Sequence, residues 1–159
     1  MIDQKYNLEL VLRFFVFKNI NISEIKGVHD LGEFLTKKML AFTEESSFDR
    51  KEEEDIFKKT FDLINTAMEE NAFKRYDESS DSFKGKFLLS TFEAIAVGLG
   101  HNINMWGNED SYHERLKKRI RNLWSEEKFR QSIGSGMNVT VRIPNIIPLG
   151  KEIFKNAEN

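Results

Sequence analysis

The apolar and polar positions alternate with helical spacing along most of the chain. Residues 6–19 are the first predicted helix. Eight of the ten residues 8–17 are apolar: Leu8, Leu10, Val11, Leu12, Phe14, Phe15, Val16 and Phe17. The exceptions, Glu9 and Arg13, stand four apart in the acid-first order that favours a helical ion pair. A helix apolar nearly all round is buried on most sides. It is therefore either the central helix of the domain or a helix covered by something outside this chain. A run rich in Phe and Val also fits a buried strand. Its length and polar flanks favour helix.

After a turn at Lys26-Gly27, Asp30 is placed to cap a second helix over residues 31–42, with Leu31, Phe34 and Leu35 inward. A third helix starts near Ser47 or Asp49 and runs to about residue 71. Its stripe is Phe57, Phe61, Ile64 and Met68. Glu52, Glu53, Glu54 and Asp55 fill its first turns, where the helix dipole favours acids. Residues 76–86 are polar and read as a loop. A fourth helix over 88–101 aligns Leu88, Phe92, Ile95 and Leu99, with Gly98 and Gly100 permitting close approach or marking its end. A fifth, 110–124, aligns Tyr112, Leu116, Ile120, Leu123 and Trp124. Ser125 reads as the cap of a short sixth carrying Phe129 and Ile133. Residues 134–138 read as a loop. Val139-Thr-Val-Arg-Ile alternates like a strand but has no evident partner, and Pro144 and Pro148 interrupt the tail beyond it. Pro148 is placed to open a last helical turn through Phe154. The fold expected is all-α, a compact bundle of five or six helices in one domain over 1–159, with an irregular C-terminal tail.

Composition narrows the chemistry. The 159 residues include no cysteine, which removes disulfides, thiolate metal sites and cysteine nucleophiles. Basic and acidic residues number 24 and 26, so no global charge draws the chain to nucleic acid or an anionic membrane. No apolar run has the length of a membrane span. The start, Met-Ile-Asp-Gln-Lys-Tyr, lacks a signal-peptide core, so a cytoplasmic location is the default. His29, His101 and His113 have no metal-ligand spacing. Gly134-Ser135-Gly136 lacks the spacing and lysine of a phosphate loop, and Gly85-Lys86 is followed by Phe87. Ser90 and Ser132 lack a nucleophile-elbow context. No catalytic residue, cofactor or metal site is assigned.

Two charge features remain. Residues 44–55 hold seven acids and two bases, and residues 114–130 hold seven bases and three acids. On a helix, Arg115, Lys118, Arg119 and Arg121 form a positive face beside the apolar stripe. This offers a weak phosphate-backbone contact, although charge runs more often simply solvate a face. Trp106 and Trp124 keep register with apolar residues and read as core. Stacking on bases is the alternative.

Several short segments, in order, carry a resemblance: Glu9-Leu-Val-Leu-Arg-Phe-Phe, Phe34-Leu35, Ala72-Phe73-Lys74, Phe92-Glu93-Ala94, and Ser135-Gly-Met-Asn through Arg142-Ile143. Together they resemble the helical C-terminal half of the GmrSD-type family of bacterial defence and restriction proteins. In that family this half follows a ParB/sulfiredoxin-like domain. The Asp-Gly-Gln-Gln-Arg motif of the family's nucleotide-hydrolysing domain is absent here, as is its His-Asn-His nuclease centre. Lys74 stands where the family often has Arg, and Pro144 and Pro148 fall where it has a terminal helix. The resemblance therefore implies a fragment or accessory half of a larger protein, non-catalytic alone. It would act beside the N-terminal domain or a second copy of itself. Arg13, Glu93 and Arg142 lie in the matching segments beside apolar residues. A semi-buried charge must find a partner, so structural ion pairing is their expected role. Phe15 and Phe17 are the candidate interaction residues of helix one.

Overall fold

The computed structural model of the chain describes residues 4–134 and 136–155; Ser135 lies outside them. Seven helices are present among the described residues. They are α1 (Gln4–Asn19), α2 (Leu31–Glu44), α3 (Arg50–Met68), α4, α5 (Asp110–Leu123), α6 (Glu127–Ser132) and α7 (Val139–Ile153). Helix α4 is composite: Leu89–Phe92, a π-helical turn over Glu93–Val97, then Gly98–Asn102. The fold is all-α apart from a short hairpin, β1 (Arg75–Asp77) and β2 (Ser82–Lys84).

The helix starts are set locally. The Asp30 carboxylate accepts from the Glu33 backbone N–H at 2.9 Å, and Asp49 accepts from that of Glu52 at 3.0 Å. Each satisfies a backbone donor that a helix N-terminus leaves without an internal partner. Helix α6 begins one residue later than the sequence indicates. Its cap position is Glu126 rather than Ser125, with no side-chain bond.

Helix α4 is the enclosed centre of the molecule. Every residue from 91 to 100 is buried. Helices α1 and α7 pack against its π turn. The core divides around it. One cluster gathers Phe14, Phe92, Ile95, Leu99, Leu116 and Ile120; the other gathers Val16, Phe17, Leu35, Val97, Ile143 and Ile147. Helix α1 feeds both, with Phe14 in the first cluster and Phe17 in the second. Its remaining apolar excess is only partly covered, and Leu8 is 65% exposed.

The contact between α4 and α7 is made backbone to backbone. A Cβ on Gly98 would stand 2.4 Å from the Gly150 carbonyl, and a Cβ on Gly150 would stand 2.2 Å from the Ala94 oxygen. Glycine is required at both positions because the facing atoms are main chain.

Four sequence expectations are corrected. Val139–Ile143 is the start of α7, not a strand. Asn138 caps it by accepting from the Thr140 N–H at 2.9 Å. Pro144 and Pro148 lie inside α7 and do not end it. Each forgoes one helical bond. Burial of Ile143, Ile146, Ile147 and Phe154 on one face compensates. The chain is thus helical as far as Ile153, and Phe154 and Lys155 beyond it form the short irregular end expected of the tail. Residues 75–84, which overlap the 76–86 stretch read as a loop, form the hairpin, with Tyr76 paired to Phe83 and Asp77 to Ser82. Its tight turn is held by Asp77, whose carboxylate accepts from the Ser79 and Ser80 hydroxyls and from Lys84. These donors hold its pKa well below the usual carboxylate range. Finally, the helix count exceeds the expected five or six because the proline-bearing tail is helical.

Candidate functional site

Arg13 of α1, Glu93 of α4 and Arg142 of α7 converge between the two core clusters. Glu93 is fully buried. Its Oε1 accepts from Arg13 Nη1 at 2.6 Å and from Arg142 Nη2 at 2.9 Å, and its Oε2 accepts from Arg142 Nε at 3.0 Å. Arg142 therefore grips the carboxylate with two donors, the geometry in which charge-assisted bonds are strongest. Arg13 also donates from Nε and Nη2 to Glu9, at 3.0 and 2.5 Å. Two cations meet two anions, so the cluster carries no net charge. Burial pushes the Glu93 carboxyl above the usual glutamate range, against the pull of both guanidiniums.

The π turn places this carboxylate. Glu93 opens the turn, whose five residues are all buried. Such single-turn insertions are frequent at functional sites. Chemically, the arrangement engages both oxygens of Glu93 and clamps α1, α4 and α7 to one another.

Helix α5 distributes its cations differently. Lys118 is exposed. The Arg115 guanidinium lies 5.5 Å from the Tyr112 ring centroid. Arg119 Nη1 donates to the Ile153 carbonyl at 2.8 Å, satisfying the C-terminal end of α7. Arg121 Nε stands 3.6 Å from Asp81 of the hairpin turn. The four do not converge on one point.

Phe17 is fully buried within the chain. Phe15 is half-buried, stacked on Phe57 with ring centroids 5.5 Å apart. It borders an apolar depression with Met39, Phe48 and Phe57. Trp106 is core, and its Nε1 donates to the Phe154 carbonyl at 3.0 Å. Trp124 is also core, packed edge-on to Phe129.

Sequence reasoning missed one feature, a cavity of about 430 Å³ between the hairpin and the α5–α6 corner, lined by Arg75, Tyr76, Glu78, Trp124 and Arg130 among others. Its walls join residues 75–78 to residues 124–134, far apart in sequence, so no local motif marks it.

Among the described residues no group of three or more His, Asp or Glu side chains is placed to hold a metal, and no helix is long and apolar enough to cross a membrane. No family model, curated protein or solved structure matches the chain.

Proposed function

We propose that this chain is a non-catalytic helical accessory and oligomerisation domain of a GmrSD-type defence protein. It would work beside a ParB/sulfiredoxin-like domain or a second copy of itself. One observation supports this reading: the short segments that carry the resemblance meet in space. Residues 9–15, 92–94 and 142–143 join at the Arg13–Glu93–Arg142 cluster. Phe73 of the Ala72-Phe73-Lys74 segment packs on Phe92 at 5.4 Å, and its carbonyl accepts from the Leu88 N–H at 2.9 Å. Leu35 lies in the same cluster as Phe17 and Ile143.

The test is to express the reading frame upstream of this chain and mix its product with the chain. The expected result is a frame encoding Asp-Gly-Gln-Gln-Arg, a stable complex, and nucleotide hydrolysis confined to the partner. No such frame, or hydrolysis by this chain alone that a substitution within it abolishes, overturns the reading.

A further inference from the structure

We infer that the cavity between the β1–β2 hairpin and the α5–α6 corner is a binding site for a phosphate monoester. This goes beyond the accessory role and does not depend on it. The cavity, about 430 Å³, falls within the size range of small-molecule sites. Arg75 enters it from β1 and Arg130 from α6. Both side chains are exposed, and neither has a carboxylate within ion-pairing distance among the described residues. That contrasts with Arg13 and Arg142, whose guanidiniums are committed to Glu93.

Trp124 lines the same cavity. Arg75 lies over its ring, 5.9 Å from the centroid, which orients the guanidinium at the cavity wall. The Trp124 indole N–H is buried and has no acceptor among the described residues. A buried donor without an acceptor is uncommon in a folded protein. Its accessible surface is too small for a ligand oxygen to reach, so Trp124 serves the cavity as the platform under Arg75. Glu78 is the one carboxylate among the lining residues, so the two arginines leave the cavity net positive. A planar guanidinium fork matches the oxygens of a phosphate dianion, and the cavity lining holds two. The volume leaves room for an organic group on the phosphorus, and Tyr76 offers an aromatic wall for it.

The experiment is isothermal titration of the full chain with phenyl phosphate, and separately with a 5′-phosphorylated and a 5′-hydroxyl oligonucleotide. Saturable one-site binding of phenyl phosphate is expected. Arg75→Gln or Arg130→Gln should each weaken it by about tenfold or more, the loss of charge-assisted hydrogen bonds. Lys51→Gln, exposed on α3 and outside the cavity, should leave it unchanged, and far-UV circular dichroism should match wild type in all three. Preference for the phosphorylated oligonucleotide, lost in the same two variants, would place the monoester on a nucleic-acid end. Binding of phenyl phosphate alone would place it on a small molecule. Absence of saturable binding, or affinity unchanged by both arginine substitutions, overturns the assignment.

Discussion

Arg13 and Glu93 lie 80 positions apart in the chain, and their side chains meet at 2.6 Å with Glu93 wholly out of water. A pair of this kind fixes how α1 sits on α4, and Arg142 extends the constraint to α7. Removing one member of a buried ion pair costs about 3–5 kcal/mol, because a charge is left without compensation. Glu93→Ala strands two guanidiniums and should lower the melting temperature by on the order of 10 °C. The combined variant Arg13→Met, Glu93→Leu, Arg142→Met should recover much of that loss, since apolar replacement of a whole buried cluster is often neutral or better. Thermal unfolding followed by circular dichroism measures both. A Glu93→Ala protein as stable as wild type would show that the clamp contributes nothing.

The glycines at the α4–α7 crossing give a prediction opposite in sign to helix propensity. Alanine in place of an interior helical glycine normally stabilises by about 1 kcal/mol. At Gly98 and Gly150 the added methyl would meet backbone at 2.4 and 2.2 Å. Overpacking costs about 1–3 kcal/mol, and more where nothing can yield. Gly98→Ala and Gly150→Ala should each destabilise the protein in urea titrations. A gain in stability at either position would mean that the helices do not approach this closely.

Much of this fold could be read from residues whose effects are local. Asp30 and Asp49 mark helix starts because a carboxylate three residues before a free N–H can do little else. Phe57, Phe61 and Ile64 declare their face by spacing. Helix α7 was hidden because Pro144 and Pro148 carry a strong local signal against helix, while the burial of Ile143, Ile146 and Ile147 that overrides it depends on α4. The hairpin was hidden because its strands are three residues long, each with a single aromatic, Tyr76 or Phe83, too few to show alternation, and its turn is held by Asp77 and its donors. At the site, sequence singled out Arg13, Glu93 and Arg142 individually. Their mutual distances depend on the π turn, which no spacing in the sequence announces. The cavity at Arg75 and Arg130 depends entirely on how the hairpin folds back on α5 and α6.

Helix α1 distinguishes two phenylalanines two residues apart. Phe17 is fully enclosed, so Phe17→Ala should cost about 3–5 kcal/mol and Phe17→Asp should prevent folding. Phe15 borders the apolar depression beside Phe57, and Phe15→Asp should leave a folded chain of unchanged helicity. If a second copy is the partner, light scattering on wild type gives a dimer at high concentration and Phe15→Asp gives a monomer. Equal masses for the two proteins would remove self-association through this face.

The basic face of α5 yields a narrower nucleic-acid test than its composition suggests. Arg119 is engaged with the Ile153 carbonyl, so reversing it would disturb the end of α7 as well as any phosphate contact. Lys118 is exposed and provides the clean substitution. If α5 contacts duplex DNA, Lys118→Glu should reduce the log–log salt slope of binding by about 0.9. An identical slope, or no binding at low salt, would dismiss this interface.

His101 supplies a dependence on pH whose sign is fixed by its surroundings. It lies near the end of α4 and lines a pocket with Lys151. Burial pushes its pKa below the ordinary histidine value of 6.5, and the charges of Lys151 on α7 and Lys18 on α1 push in the same direction. The folded state therefore binds this proton less readily than the unfolded chain. In the interval between the depressed folded value and 6.5, the unfolded state holds more protons, so stability rises with pH. The contribution is present in full above 6.5 and is lost as pH falls through that interval. Urea titrations of wild type and His101→Gln between pH 5 and 8 isolate the effect, because the carboxylates are common to both. The stability of wild type relative to the variant should increase across the histidine range. A constant difference between the two proteins would mean that neither burial nor the charges of Lys151 and Lys18 depress the imidazole pKa in solution.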